Sequence, residues 1–497
     1  MRRRAGVLAH PTVLPGGHGV GDLGPSSRSF LAWVEAAGFS GWQVLPLSVA
    51  GRHGCPYSSP ASGLGDPLLI SLEDLVEGGL LRAVDLPSSD WYTSDCVDFG
   101  AVEKLKRPLL QKAAEVLLKS PSHPWAQDLE RFRAEEPGLR GMATFRVLKR
   151  SFGSAPWWEW PDPLKWRDEQ AMAEMSNQRS RDIAVEEALG FLFDKQWSEL
   201  KLRAGERGID LVGDLPIYVA AHSADVWLAP ELFDLTATGQ PAQIAGVPPD
   251  EFSPLGQCWE NPLYNWDVHA KDGFSWWCDR VAKASREFDV IRLDHFRGFV
   301  GYYAIESSAP DARDGVWLEG PGSALFTAFE ETLGSVPFIA EDLGTITDDV
   351  NRLRESLELP SMRVLQFGLD GEQDNPHAPV NIRADSVVYT GTHDNPTSQG
   401  WWDDADDTAR RRAIEITGGG EEDFVESLIE QALQSAAQWA FLPVQDLLGL
   451  GNEARMNVPG TVTGNWDWRL NDGQLDTGLA VRFRRWLERT RRLGETR

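Results

Sequence analysis

The sequence predicts an α/β fold in which parallel strands close into a barrel, with polar groups gathered at one mouth. Short apolar runs recur along the chain, and each ends in a polar or charged residue before a polar, helix-like segment. In the second half, Glu341, Gln366 and Thr390 follow one another at intervals of 25 and 24 positions, about one strand–helix unit. Repeated units of this kind give a parallel sheet, and closing that sheet brings the polar strand ends together.

Six apolar runs are predicted as strands, because continuous apolar sequence suits a parallel strand that is covered on both faces. In chain order they are 41–48, 208–219, 288–296, 337–344, 362–370 and 385–394. The segments between them, such as DDVNRLRESLEL (348–359), are typical of amphipathic helices.

Two intervals, about 60–205 and 220–285, lack this rhythm and are predicted to be insertions into a single catalytic barrel spanning 1–497. The first is predicted to be mostly helical, with helices in 132–152 and 181–203. The second is rich in proline and aromatic residues, and we expect a loop-rich lid over the barrel mouth. Long irregular segments inside a compact fold usually carry function.

Composition limits the classes of partner. The chain has 497 residues and a formal net charge of −27, which argues against a nucleic-acid partner because phosphate neutralisation needs a basic face. Its four cysteines are scattered, which favours a reducing compartment. The N-terminal apolar run is too short for a signal peptide, and no run approaches a membrane span. We therefore expect a cytoplasmic protein without a membrane partner, and the sequence makes no prediction of oligomeric state.

Tryptophan is frequent, with 21 residues against 7 tyrosines. Core packing is the ordinary role, but WWEW (157–160), NWDW (465–468), Trp259 and the pair Trp401 and Trp402 lie in polar sequence. Aromatic faces flanked by carboxylates and amides suit a pyranose ring, which presents apolar C–H faces and a rim of hydroxyls. A sugar-binding cleft is the functional interpretation.

Four predicted strand ends carry an acid, namely Asp214, Asp294, Glu341 and Asp394. A lone acid at such a position could simply cap the following helix. Several carboxylates in one cleft instead suit glycosidic-bond chemistry, with one acting as nucleophile and another as acid and then base. Arg292 lies two positions before Asp294, on the same strand face, where its charge would keep that carboxylate ionised.

Three other kinds of site have less support in the sequence. The acids with His393 could bind a divalent metal, but no HxH, HExxH or clustered aspartate pattern supports it, so no metal and no cofactor are expected. The chain lacks the G-x-S-x-G pattern of a serine hydrolase. GHGVGDLG (17–24) follows no predicted strand and lacks GK[ST], so a structural turn is the better interpretation than a phosphate loop.

Motifs along most of the chain resemble those of the 4-α-glucanotransferase family, also called amylomaltase or disproportionating enzyme. They are GVGDLG, YSSPASGLGDPLLIS, GDLPIYV, PPDEFSPLGQCWENPLYNW, RLDHFRG, AEDLG, MRVLQF, TGTHDN and RMNVPGTVTGNWDWR. The resemblance implies a (β/α)8 TIM barrel with inserted subdomains between strands and no C-terminal β-sandwich. After the last motif only 28 residues follow, and their pattern is helical.

The resemblance also implies roles for individual residues. Asp294 corresponds to the nucleophile, Glu341 to the general acid/base, and Asp394 to the carboxylate that stabilises the transition state. The substrate-binding residues that it implies are Tyr57, Asp214, Arg292 and His393 at the cleaved ring, and Gln257, Trp259 and Asp370 on the acceptor side. Glu260, where the family usually has glycine, is a departure, as are Ser361 and Pro396.

The activity implied is the transfer of an α-1,4-glucan segment from a donor maltooligosaccharide to the 4-hydroxyl of an acceptor glucose or glucan. The same acids could deliver the segment to water, because the outcome depends on how the acceptor site excludes water. An α-amylase-like hydrolase is therefore the alternative, and a glucan-binding protein without activity is a third possibility.

Overall fold

The structure, a computed structural model, describes residues 3–16, 18–87, 94–153, 155–249 and 253–494. In these ranges there are twelve strands, numbered in chain order: β1 Arg4–Leu8, β2 Gly41–Gln43, β3 Asp210–Leu215, β4 Gln243–Val247, β5 Gln257–Pro262, β6 Val290–Leu293, β7 Gly301–Glu306, β8 Val316–Glu319, β9 Phe338–Ala340, β10 Ser361–Val364, β11 Ser386–Tyr389 and β12 Trp439–Pro443. The same ranges contain eighteen α-helices: α1 Pro25–Ala37, α2 Leu72–Glu77, α3 Phe99–Lys119, α4 Ala126–Glu135, α5 Leu139–Phe152, α6 Asp162–Lys165, α7 Glu169–Gln178, α8 Ser180–Glu206, α9 Ala224–Leu228, α10 Trp266–Lys271, α11 Ser275–Glu287, α12 Ser323–Leu333, α13 Asp348–Ser356, α14 Ser398–Asp404, α15 Asp407–Thr417, α16 Phe424–Gln434, α17 Val444–Leu447 and α18 Thr477–Arg489.

Eight strands form a closed parallel barrel in the order β1–β12–β11–β10–β9–β6–β3–β2. The predicted barrel is therefore confirmed, and each of the six predicted runs overlaps one of its strands. The sequence patterns do not predict β1 and β12. Both are five residues long, and neither lies in one of the six predicted runs.

The barrel interior is filled by alternate residues of the strands, as a closed sheet requires. They form one buried cluster of Val212, Ile339, Met362, Val364, Val387, Tyr389, Trp439 and Phe441. Two glycines make room for its large rings, because a Cβ on Gly6 would lie 2.3 Å from Phe441 Cε1 and one on Gly41 2.5 Å from Trp439 Cζ3. Arg4 lies over the Trp439 ring at 4.0 Å and closes the N-terminal end of the barrel.

The residues between β2 and β3 include the helices α2 to α8, and the predicted helices in 132–152 and 181–203 lie among them. Their packing overturns one expectation from the sequence. Trp157 is fully buried and donates its indole N–H to the Ala221 carbonyl at 2.9 Å, and Trp160 is also buried. The sugar-binding interpretation is wrong for these two rings of WWEW, which are core residues of the inserted helices.

The interval 220–285 is not the loop-rich segment that its prolines predict. Strands β4 and β5 join β7 and β8 in a four-stranded antiparallel sheet, ordered β5–β4–β7–β8. The prolines lie between or at the ends of these strands, so they remove few ladder hydrogen bonds. Residues 250–252 of the predicted lid lie outside the described residues. None of the helices in the described ranges is long and apolar enough to cross a membrane.

Glu260, the departure at a family glycine, has a left-handed backbone with φ of 62°. It lies in β5, where pairing with β4 is irregular between Ile244 and Gly246. A left-handed conformation costs an L-residue about 1–2 kcal/mol, which glycine avoids at some cost in chain entropy. We expect Glu260→Gly to raise the free energy of unfolding by about 0.5–1 kcal/mol, measured by urea denaturation.

Glu260→Ala is the matched control, because alanine removes the carboxylate but keeps the Cβ. It should give no gain in stability. An equal gain in both variants would attribute the effect to the charge and contradict the argument from backbone strain.

Candidate active site

The four predicted acids lie at the C-terminal mouth of the barrel. Asp214 is in β3 and is register-paired with Arg292 of β6, one strand away. Asp294 follows β6 directly, and its N–H donates to the Leu215 carbonyl at 3.1 Å. Glu341 follows β9 in the same way, and Asp394 lies in the loop after β11. The strand ends predicted from the sequence therefore converge at one mouth.

Arg292 joins two of these acids. Its buried Nη1 donates to both carboxylate oxygens of Asp214, at 2.7 and 2.8 Å, and to Oδ1 of Asp294 at 2.8 Å. Burial alone would lower the pKa of Arg292, but Asp214 and Asp294 raise it well above its usual value. Burial raises the pKa of Asp214, and the Arg292 charge opposes that rise. The guanidinium is thus a permanent cation that donates to Asp294.

Glu341 is held by backbone donors beside the nucleophile candidate. The N–H of His295 donates to its Oε2 at 2.7 Å and the N–H of Leu343 to its Oε1 at 3.0 Å. His295 reaches this position with a left-handed backbone, φ 50°. Burial, together with the charge of Asp294, raises the pKa of Glu341 to about 8, although Arg292 and the two N–H groups oppose the rise. A carboxyl group with this pKa is protonated at neutral pH and can act as a general acid.

Tyr57, His393 and Trp466 form an aromatic wall beside Asp214. The Tyr57 hydroxyl donates to Asp214 Oδ2 at 2.7 Å, and the Tyr57 ring stacks on the His393 ring with centroids 5.2 Å apart. Trp466 packs on both rings, at 5.8 and 5.9 Å. Trp466 belongs to the NWDW stretch noted in the sequence, but its place against Tyr57 was not predicted. The wall offers a flat apolar surface next to charged acceptors, as a pyranose requires.

Asp394 is the most open of the acids, with its side chain 45% exposed. Its Oδ2 lies 3.4 Å from His393 Nε2, and its Oδ1 accepts a hydrogen bond of 2.6 Å from Asn457 Nδ2. Arg455 Nη2 donates to the Asp394 carbonyl at 2.6 Å. Sequence reasoning did not assign Asn457 or Arg455, although both lie in the stretch 455–469 that carries the resemblance.

Gln257 and Trp259 lie two positions apart on β5, on one face of the strand. The Trp259 indole N–H donates to Gln257 Oε1 at 3.1 Å, and its ring stands edge-on to the His295 ring with centroids 4.8 Å apart. The antiparallel sheet thus contributes two side chains next to the loop that carries Asp294. Burial lowers the pKa of His295 to about 4, so this ring is neutral at pH 7.

Asp370 lies in an exposed loop after β10. Its carboxylate accepts hydrogen bonds from the Glu372 N–H at 3.0 Å and from Asn375 Nδ2 at 2.8 Å. These bonds shape the loop itself, and the role of Asp370 on the acceptor side stays a prediction. In the described part of the chain there is no group of three or more His, Cys, Asp or Glu side chains placed to hold a metal ion.

The arrangement joins a carboxylate that accepts a hydrogen bond from Arg292, a carboxyl group that is neutral at pH 7, and an open third carboxylate beside an aromatic wall. In a pair of carboxyl groups of this kind, one can attack the sugar carbon of a glycosidic bond and the other can protonate the oxygen that leaves. Asp294 lies beside Arg292 for the first task, and the raised pKa of Glu341 suits the second.

The family model described as 4-alpha-glucanotransferase matches residues 9–476. The chain is 43% identical over 502 residues to the 4-alpha-glucanotransferase of Thermus thermophilus, covering 99% of each chain. It is 45% identical over 477 residues to the chloroplastic/amyloplastic 4-alpha-glucanotransferase of Solanum tuberosum, covering 94% of this chain and 82% of that one. The structure matches that of an amylomaltase from Streptococcus agalactiae in complex with acarbose, with a TM-score of 0.96 and 34% identity over 99% of this chain and 100% of that one.

Proposed function

The chain belongs to the 4-alpha-glucanotransferase family, and we propose that Asp294, Glu341 and Asp394 carry out its transfer reaction by double displacement at one sugar carbon. Its activity is that of a 4-alpha-glucanotransferase, which acts on α-1,4-glucans. The proposal concerns the residues that perform each step and the fate of the glucan segment.

In the first step Asp294 attacks C1 of the donor sugar. Its Oδ1 is engaged by Arg292, so Oδ2 is the oxygen that we expect to form the bond. The bond from C1 to the leaving 4-oxygen breaks, and Glu341 gives its proton to that oxygen. The product is a β-glucosyl ester on Asp294 and a shortened glucan with a free 4-hydroxyl.

In the second step the 4-hydroxyl of an acceptor glucan attacks the same C1. Glu341, now ionised, takes the hydroxyl proton, and Asp294 leaves as a carboxylate. Two inversions at C1 retain the α-1,4 linkage. Asp394 would accept hydrogen bonds from hydroxyls of the reacting sugar, and Tyr57 with His393 would line its face.

The proposal rests on the different surroundings of two carboxyl groups, those of Asp294 and Glu341. Asp294 accepts a hydrogen bond from a fully charged guanidinium, whereas burial leaves Glu341 protonated at neutral pH. Environments that separate the ionisation of two carboxyl groups assign them different roles, with the ionised group as nucleophile and the neutral group as acid. In this proposal Gln257 and Trp259 hold the acceptor sugar and exclude water, which their position beside His295 supports.

Incubation of the purified protein with maltotriose alone tests the transfer reaction. We expect chromatography to show glucose and maltopentaose appearing together, followed by longer chains. Each transfer moves a maltosyl group from one maltotriose, which leaves glucose, to another, which becomes maltopentaose. The concentration of reducing ends should stay constant. Glucose and maltose without longer chains, with a rise in reducing ends, would identify a hydrolase and contradict the proposal.

A cytoplasmic location stays a proposal. Its support is the scattered cysteines, which favour a reducing compartment. Fractionation of cells that express the protein, followed by detection of the chain, would test it, and recovery in a membrane or secreted fraction would contradict it.

A further inference from the structure

The segment 455–466 packs against the loop that carries His393 and Asp394, although 60 residues separate them in sequence. Asn457 makes two of the contacts, since its N–H donates to the His393 carbonyl at 3.1 Å and its side chain reaches Asp394. Arg455 makes a third, to the Asp394 carbonyl at 2.6 Å. The segment therefore holds both the main chain and the side chain of Asp394.

The bond from Asn457 fixes the orientation of a carboxylate that is otherwise open to solvent. Asp394 is 45% exposed, and its second oxygen lies 3.4 Å from His393 Nε2, beyond good hydrogen-bond distance. The 2.6 Å bond from Asn457 Nδ2 to Oδ1 is thus the shorter of these two side-chain contacts of Asp394. The carboxylate oxygen accepts this bond, so the Asn457 amide turns its NH₂ group toward Asp394.

Asn457 is itself supported by the surrounding segment. Its carbonyl accepts a bond of 2.7 Å from Arg455 Nε, so one guanidinium links Asn457 to the Asp394 main chain. The next N–H, of Val458, donates to Asn465 Oδ1 at 2.9 Å, and Asn465 Nδ2 donates to the Thr461 carbonyl at 3.1 Å. The turn is closed on itself and presents the amide as a rigid donor, which is the usual way that a supporting residue orients a functional one.

We infer that Asn457 is a positioning residue for the transfer reaction, which acts by orienting the Asp394 carboxylate toward the hydroxyls of the reacting sugar. The inference rests on the proposed role of Asp394. Hydrogen bonds to sugar hydroxyls strengthen in the transition state of glycosyl transfer, so a misdirected Asp394 lowers the rate of the chemical step more than it weakens substrate binding.

The test begins with Asn457→Ala and maltotriose kinetics. We expect kcat to fall by about 10- to 100-fold, with KM changed by less than about threefold, since supporting hydrogen bonds to functional groups are typically worth this much in rate. Asn457→Asp keeps the side-chain size but places a carboxylate oxygen, in place of the NH₂ donor, against the Asp394 carboxylate. The kcat of this variant should fall further. This second variant keeps the test decisive if the alanine variant does not fold.

Asn465→Ala is the matched control, because it loosens the same turn without removing a bond to Asp394. It should lower the melting temperature and affect kcat less than Asn457→Ala. An equal loss of kcat in both variants would mean that Asn457 acts only through the fold of the segment, and the inference would fail.

A double-mutant cycle with Asp394→Asn separates this inference from the proposed function. If Asn457 acts through Asp394, then Asn457→Ala should cost little further activity once Asp394 is replaced. Near-normal activity of Asp394→Asn would overturn the proposed role of Asp394 and the inference with it. An impaired Asp394→Asn with a folded Asn457→Ala of normal kcat would overturn the inference alone.

Discussion

Asp294→Asn should lower kcat on maltotriose by at least about 10⁴-fold while leaving the dissociation constant within about threefold. The amide has the size of the carboxylate, so the barrel mouth keeps its shape and the sugar still binds. An amide is too weak a nucleophile to form the ester on C1. The rate is measured by chromatography of products over hours, and binding by calorimetry with the inactive variant.

The matched control for this change is Asp314→Asn, which makes the same chemical replacement on an exposed residue far from the barrel strands in sequence. It should retain the activity of the unaltered protein. If Asp294→Asn kept more than a few per cent of that activity, with the purity of the variant confirmed by mass, the nucleophile would have to be another residue.

The pH dependence of kcat/KM should show an alkaline limb with an apparent pKa near 8, the value to which burial raises Glu341. We expect activity to fall as pH rises because the protonated form of Glu341 is the acid that the leaving oxygen needs. That form predominates below the pKa, so activity is lost as pH rises through it. The measurement is a series of initial rates between about pH 5 and 10 at fixed ionic strength.

Glu341→Gln should lower kcat on maltotriose by about 10²- to 10⁴-fold, the usual contribution of a general acid. The alkaline limb should vanish in the variant. A donor with a fluoride leaving group needs no proton, so formation of the ester from α-maltosyl fluoride should be much less affected. An unchanged alkaline limb in the variant would assign the titration to another group.

The core of the site could be predicted because its signal is local in sequence. Arg292 and Asp294 share a strand face by their spacing, and their ion pair follows from that alone. The pKa of Glu341 could not be predicted, because it depends on burial and on an N–H of His295 that comes from another strand end. Asn457 carries no local signal either, since its partner lies 63 positions away.

The difference between local and distant contacts also explains where the predicted fold is wrong. The interval that includes β4 and β5 was expected to be loop-rich because prolines break its pattern. Its strands form nonetheless, since Gln243 of β4 pairs with Glu306 of β7, far along the chain. The sequence does not reveal whether the WWEW rings are buried, because polar neighbours in sequence do not show which residues pack over a ring in the fold. Trp157 is covered by residues that include Trp158 and Trp166.

The most direct test of the account is to trap the covalent intermediate. Glu341→Gln, mixed with α-maltosyl fluoride and quenched in acid, should carry one maltosyl group, and peptide mapping by mass spectrometry should place it on Asp294. The ester should disappear when azide, which needs no general base, is added before the quench. A maltosyl group on Asp214, Asp394 or any other residue, or consumption of the fluoride with no adduct at all, would contradict the assignment of Asp294 as the nucleophile.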